Sequence, residues 1–158
     1  MAKINYLTGD ATLPQAVGIK IIAHICNDIG GWGRGFVVAI SKRWQTPEES
    51  YRAWHRDRAH NDFALGAIQI VQGSSYVYIA NMIAQHGIGP SAEGPPIRYD
   101  ALAECLAKLA VAAQEMGASV HMPRIGTGLA GGKWEQIEPI IQEKLISAGV
   151  EVYVYDFG

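Results

Sequence analysis

Two clusters of glycine are the residues of this sequence best suited to chemistry. Gly126-Thr-Gly-Leu-Ala-Gly-Gly132 places four glycines within seven residues, after the β-like run Ser119 to Ile125 and before an amphipathic helical pattern. Glycine lets a backbone approach a ligand closely, and amides at a helix N-terminus point outward with a favourable dipole. Such a turn suits a diphosphate. Gly30-Gly-Trp-Gly-Arg-Gly35 follows a second apolar run, Ile19 to Cys26. For either cluster alone, a tight turn that needs glycine for sterics is an equal reading. Two strand–glycine–helix units together favour a nucleotide-like ligand gripped from two sides.

Gly126, Gly128 and Gly131 satisfy the G-x-G-x-x-G spacing of dinucleotide-binding turns, a weak pattern taken alone. A dinucleotide fold needs this turn first with further βαβ units after it, and here about one helix and one strand remain. Neither cluster ends in Gly-Lys-Ser/Thr, which disfavours a nucleotide triphosphatase. His24, Asn27 and Asp28 stand at the carboxyl end of the first buried run, where open α/β sheets place ligands. A core histidine bonded to backbone is the competing reading of His24, and turn chemistry at a strand end competes for Asn27 and Asp28. Asp10 suits an adenine amino group or a turn. Phe157 suits a stacked base or a cap on the core.

Other chemistries lack their residues. The five histidines show no metal-ligand spacing with cysteines or acids, so no metal and no cofactor are expected. There is no Gly-x-Ser-x-Gly elbow. Thirteen Lys plus Arg against fifteen Asp plus Glu leave a formal charge of −2, which disfavours nucleic acid as a partner. The basic run Arg52-Ala-Trp-His-Arg-Asp-Arg58 reads as a solvated helix face, with Trp44, Tyr51 and Trp54 turned to the core. Cys26 and Cys105 lie in apolar patterns and read as buried thiols. No leader segment opens the chain and no apolar run reaches membrane-spanning length; a cytoplasmic monomer is expected.

These residues need a scaffold, and the 158-residue chain, 49% apolar, supplies enough for one domain over residues 1–158. Strands are predicted at Ile4 to Thr8, Ile19 to Cys26, Ala67 to Gln72, Tyr76 to Ile83, Ser119 to Ile125 and Val150 to Tyr155. Helices are predicted at Gly35 to Trp44, from an N-cap at Thr46 to about His60, from Arg98 or Tyr99 to Met116, and at Lys133 to Ser147. His86 to Pro96 is an irregular stretch of the kind that closes over a ligand. Helices interleaved with apolar strands predict an α/β fold, a three-layer α/β/α sandwich on a mixed sheet of about six strands.

Gly9-Asp10, Ala23-His-Ile-Cys-Asn-Asp28 with its glycine cluster, Met122-Pro-Arg-Ile-Gly-Thr-Gly-Leu129 and Val154-Tyr155 together resemble a macrodomain. The likeness runs through the whole chain. It is nearest the branch that contains terminal ADP-ribose protein glycohydrolase and the yeast ADP-ribose 1″-phosphate phosphatase. The resemblance implies ADP-ribose, or an ADP-ribosylated protein, bound at the carboxyl ends of the strands. It would put adenine at Asp10 and Phe157 and the diphosphate on Gly126, Thr127, Gly128 and Leu129, with Ala11 and Ala130 also among the ligand-binding residues. The distal ribose would lie among Asn27, Gly31, Trp32, Gly33 and Gly35.

The chain departs from that pattern where the chemistry happens. Gln85 stands where glycohydrolases that form a lysine adduct carry the lysine, and Ala130 where they carry the catalytic aspartate. Neither can form a Schiff base or act as a base. The resemblance then implies a hydrolase removing terminal ADP-ribose from Asp or Glu side chains, or from related 1″-substituted ADP-ribose, by direct water attack. His86 and Asn27 are its catalytic candidates. His24 matches a histidine of the phosphatase, which leaves phosphate-ester chemistry open. A non-enzymatic ADP-ribose reader is the alternative.

Overall fold

The computed structural model describes residues 1–91 and 94–157, so Ala92 and Glu93 of the irregular stretch, and Gly158, lie outside the described residues. Six strands form one sheet: β1 (Ile4–Thr8), β2 (Lys20–Asn27), β3 (Ile68–Ser74), β4 (Val77–Gln85), β5 (Ser119–Met122) and β6 (Val152–Asp156). Their spatial order is β1-β6-β5-β2-β4-β3, and every pair is parallel except the β3–β4 hairpin. The mixed α/β sandwich read from the sequence is the observed fold.

Strand periodicity divides the core. Along β2, Ile21 and Ala23 face one side while Ile22 and Cys26 face the other. Helices α1 (Phe36–Ser41) and α2 (Thr46–Arg56) cover the second side, where Ile40, Tyr51 and Trp54 are buried. Helices α3 (Tyr99–Met116) and α4 (Trp134–Ile141) cover the first, with Leu102, Leu106, Leu109 and Ile137 fully enclosed. Each such leucine contributes about 1.5–3 kcal/mol by burial. Both cysteines are buried and free, as their apolar settings predict. No helix among the described residues is long and apolar enough to cross a membrane.

Several boundaries move for local reasons. The strand predicted to Ile125 stops at Met122, because Pro123 has no amide for the ladder. The first helix ends at Ser41 instead of Trp44, the chain tightening as Arg43 and Trp44 both donate to the Ile40 carbonyl. Thr46 lies inside α2: the Glu49 amide already bonds to the Gln45 carbonyl, so Gln45 takes the capping place and no side chain caps it. That helix stops at Arg56, and Arg58–His60 form a separate 3₁₀ turn. The last helix contains Pro139 and widens into a π turn over Gln142–Ile146, where the Ser147 amide reaches back to Gln142.

Gly117 closes α3 in the left-handed region at φ 65°, its amide and that of Ala118 returning to Gln114 and Ala113. A Cβ there would meet nothing within 4 Å, so only backbone strain opposes a side chain. Gly117→Ala is expected to cost about 1 kcal/mol of unfolding free energy, read by urea titration. An unchanged midpoint would contradict it.

Candidate functional site

A cavity of about 720 Å³ opens at the carboxyl ends of β2, β4, β5 and β6. It lies where the sheet order reverses between β2 and β5, the crevice that parallel α/β sheets leave open. Its size is that of a small-molecule site. The two glycine clusters form facing walls: Gly31 to Gly35 after β2, and Gly126 to Ala130 after β5.

Asn27 shapes the first wall. Its Oδ1 accepts from the Ile29 amide at 3.0 Å and the Gly31 amide at 2.9 Å, while Nδ2 donates to the Gly31 carbonyl at 3.0 Å. Beneath it the fully buried Tyr51 hydroxyl donates to the Asn27 carbonyl at 2.6 Å and lies 2.9 Å from Oδ1. Burial raises the Tyr51 pKa well above its ordinary value, so the hydroxyl remains a donor. Trp32, only 4% exposed, bonds through Nε1 to Ser41, whose hydroxyl donates to Glu48. The indole is thus cavity wall and core at once.

His24 forms part of the floor. Its Nε2 lies 2.6 Å from Asn81 Oδ1, and Asn81 Nδ2 donates to the Pro47 carbonyl and to Gln69 Oε1. An amide oxygen accepts, which places the imidazole proton on Nε2. Burial lowers the pKa to about 4, so the ring is neutral at physiological pH.

The second wall is a compact loop. Gly132 donates to the Gly126 carbonyl at 2.6 Å, Gly131 to Gly128 at 3.0 Å, and the Thr127 hydroxyl to Arg124 at 2.8 Å. Gly126 has φ 77°, and a Cβ there would come within 2.6 Å of Ile97 Cδ1, so any other residue would be strained and would have to displace Ile97. The amides of Gly128, Leu129 and Ala130 have no acceptor among the described residues. At Gly128 a Cβ would meet nothing, so that position is constrained by neither packing nor φ.

The two ends of the cavity differ. At one end Gln85, Ile88 and Gly89 enter the lining. Asp28 braces this end, accepting from the Gly87 amide at 2.8 Å and pairing with His86 Nδ1 at 2.6 Å. At the other end Arg124 holds Asp156 by two hydrogen bonds, 2.6 and 3.0 Å, its guanidinium lying over Tyr6 and Trp134. Phe157 is 84% exposed beside this pair. Tyr155 backs it, its hydroxyl accepting from the Gln15 amide and bonding to His121 Nδ1, both at 2.8 Å.

Of the residues singled out from sequence, Asn27, Gly31, Trp32, Gly33, Gly35, Gly126 to Ala130 and Phe157 line one cavity. Asp10, Ala11 and His86 do not. Asp10 follows β1, and its carboxylate accepts from the Thr12 amide and hydroxyl and meets Arg43 at 3.5 Å. Burial opposes its charge, but the Thr12 bonds and Arg43 outweigh that and lower its pKa. Ala11 is buried, and the His86 side chain is 56% exposed.

Arg34, Gln85, Ile88, Arg124 and Asp156 also line the cavity and were not among the site residues expected from sequence. Arg34 had a signal, as the one charged residue within a glycine cluster. Among the described lining residues it is a cation without an intramolecular partner. Among the described residues the lining holds no lysine, and its carboxylate, Asp156, is already paired. No group of three His, Cys, Asp or Glu side chains suited to a metal occurs among the described residues.

A model of the Macro domain family matches residues 23–141. A macrodomain protein from Streptomyces coelicolor is 55% identical and superposes with a TM-score of 0.89 over 99% of this chain and 100% of its own. The chromodomain-helicase-DNA-binding protein 1-like of Mus musculus is 32% identical over 98% of this chain and 18% of its own, so this chain spans less than a fifth of that relative. The ADP-ribose 1″-phosphate phosphatase of Lodderomyces elongisporus is 26% identical over 97% and 99% of the two chains.

The buried histidines give the fold an acid limit. The pKa of His24 drops from 6.5 to about 4 through burial, and that of His121 to about 3 through burial and Lys20. Each binds its proton more tightly in the unfolded chain, so their stabilisation is complete above pH 6.5 and is lost as pH falls towards the folded values. The His24 share is about 3 kcal/mol. In denaturant titrations His24→Gln should flatten the loss of stability between pH 6.5 and 4; an unchanged slope would refute this.

Proposed function

Since the chain belongs to the Macro domain family, we propose that it binds ADP-ribose in this cavity and hydrolyses the bond between terminal ADP-ribose and an Asp or Glu side chain, or a related 1″ substituent. The observation that carries the reading is the pair of glycine walls facing one another across the switch point. The free amides of Gly128, Leu129 and Ala130 suit the diphosphate oxygens. Adenine then lies towards Phe157, with Asp10 and Ala11 beyond the cavity edge. The distal ribose lies towards Asn27 and Gly31 to Gly35, with Gln85 at its far side.

The reaction follows from what the wall contains. Water attacks C1″, the bond from C1″ to the ester oxygen breaks, and the acidic side chain leaves as a carboxylate with the electron pair. Water's second proton passes to solvent. A carboxylate leaves readily, so the catalytic demand is on holding the distal ribose and a water in line. Asn27 has one Nδ2 hydrogen not used in the loop, which suits orienting that water. His86 acts through Asp28, which holds the chain after β4 against the chain after β2. Gln85 and Ala130 provide neither adduct nor base, so the route proposed here uses neither; a relative named ADP-ribose 1″-phosphate phosphatase supports a 1″-substituted ADP-ribose as the class of substrate.

One observation favours the alternative of a reader: among the described residues the lining offers neither a lysine nor an unpaired carboxylate. Incubation with an Asp/Glu-ADP-ribosylated protein separates the two. Release of ADP-ribose above the buffer rate is expected, whereas binding without release would make the protein a reader. Gly128→Val should lower ADP-ribose affinity by at least about tenfold, roughly 1.4 kcal/mol, with an unchanged melting temperature. Calorimetry giving wild-type affinity would remove the diphosphate from this loop.

A further inference from the structure

The Phe157 end of the cavity carries a framework that the proposed reaction does not use. Among the described residues the lining holds one carboxylate, Asp156 at the end of β6. Arg124, after β5, grips it with a fork: Nε donates to Oδ1 at 2.6 Å and Nη2 to Oδ2 at 3.0 Å. The guanidinium carbon lies 5.1 Å from the Tyr6 ring centre and 5.3 Å from that of Trp134. Those two rings meet edge to face at 6.4 Å, and the Trp134 indole donates to the Tyr6 hydroxyl at 3.1 Å. The Tyr6 hydroxyl in turn bonds to Glu138, about one helical turn after Trp134 in α4. Strands β1 and β6, helix α4 and the loop after β5 thus converge on a single carboxylate.

An exposed ion pair ordinarily contributes little and leaves its long side chain mobile. Here the fork fixes the plane of the carboxylate, and two rings fix the fork. The Asp156 side chain is still 49% exposed, so lone pairs that Arg124 does not use remain accessible. The bond from Arg124 lowers the Asp156 pKa, and the ionised group can only accept hydrogen bonds. Arg124 also offsets its charge, so a phosphate-bearing ligand meets an acceptor without a net negative group.

Such an acceptor selects a donor. Phe157, next in the chain, presents an exposed ring against which a base can lie. In the proposed orientation the ribose hydroxyls fall between the base and the diphosphate loop, and the adenine 6-amino group is the donor at this end. Asp10, the carboxylate whose place in the sequence suits that amino group, lies outside the lining with Thr12 and Arg43 on its oxygens. We infer that Asp156, aimed by Arg124, accepts a hydrogen bond from the adenine 6-amino group and selects adenine over other bases. The inference rests on the proposed ligand and its orientation. Asp156 touches the ligand, and Arg124 is a positioning residue that acts through it.

Calorimetry with ADP-ribose and its 6-deamino analogue, in which hydrogen replaces the amino group, tests this. The wild-type protein should bind ADP-ribose about tenfold more tightly, the scale of one hydrogen bond to a charged acceptor. The ratio of the two affinities is the readout, since a merely structural loss weakens both ligands alike. Asp156→Ala should abolish the preference, and Asp156→Asn, which keeps a neutral acceptor, should narrow it. Arg124→Met removes the fork but keeps a stem against Tyr6 and Trp134; it too should narrow the preference, and an undiminished one would overturn the aiming by Arg124. Asp10→Asn should leave the ratio as in the wild type. Equal binding of both ligands by the wild type, or a preference that survives Asp156→Ala, overturns the inference. A preference lost in Asp10→Asn moves the contact to Asp10 and overturns it as well. GDP-ribose binding as tightly as ADP-ribose would remove the selectivity for adenine. Failure to bind ADP-ribose at all would instead defeat the proposed function itself.

Discussion

The cavity depends on one buried contact, the Tyr51 hydroxyl beneath Asn27. A backbone leaving β2 has polar groups to satisfy, and burial without partners would cost about 1–3 kcal/mol for each. Asn27 meets that demand by folding its carboxamide over Ile29 and Gly31, and Tyr51 fixes Asn27 from the core. The same helix reaches the site twice more, through the Pro47 carbonyl to Asn81 and His24, and through Glu48 to Ser41 and Trp32. Helix α2 therefore sets the shape of a wall to which it contributes no lining residue. A change in α2 packing reaches the first glycine cluster through Tyr51, through Arg52 on the Gly30 carbonyl and through Glu48, and reaches the floor through Pro47.

The opposite wall is built differently. Beside the Thr127 hydroxyl bond to Arg124 and the Gly132 amide bond to the Gly126 carbonyl, its form comes from close packing of Gly126 against Ile97, Ile137 and Ile25. The first wall is thus organised by one carboxamide, and the second by hydrogen bonds within its own loop together with close packing. Shape errors in a packed interior are felt at the level of a single methylene, so both walls are stiff. Their stiffness leaves amides aimed at fixed points before any ligand arrives, which is the economical way to stabilise charge. It also explains a lining with few ionisable groups.

The features legible in the sequence were those with local signatures. Glycine clusters after apolar runs, the α3 stripe of Leu102, Leu106 and Leu109, and the Gly117 cap each announce themselves within a few residues. The mixed sheet followed from the alternation of elements. What escaped depends on pairing between distant strands. His24 was readable as a core histidine, but its partner Asn81 is known only from the β2–β4 register, which sets the two side by side. Arg124 and Asp156 meet because β5 and β6 are neighbours, although 32 residues separate them. Asp10 and His86 looked like site residues by position in the chain. The Asp10 carboxylate is taken up by Thr12, the local turn that was its other reading, and by the distant Arg43, and His86 by the distant Asp28; the two distant partners have no local signature.

Strand β6 is not added at an edge but sits between β1 and β5, with Ile4 opposite Val152. It must enter a slot bounded on both sides. During vectorial synthesis the first strand waits without its neighbour until nearly 150 residues have followed it. The wall made by Tyr155, Asp156 and Phe157 comes with that insertion, so the site is completed by the last strand to emerge. Binding competence and topological closure are, for this chain, a single event.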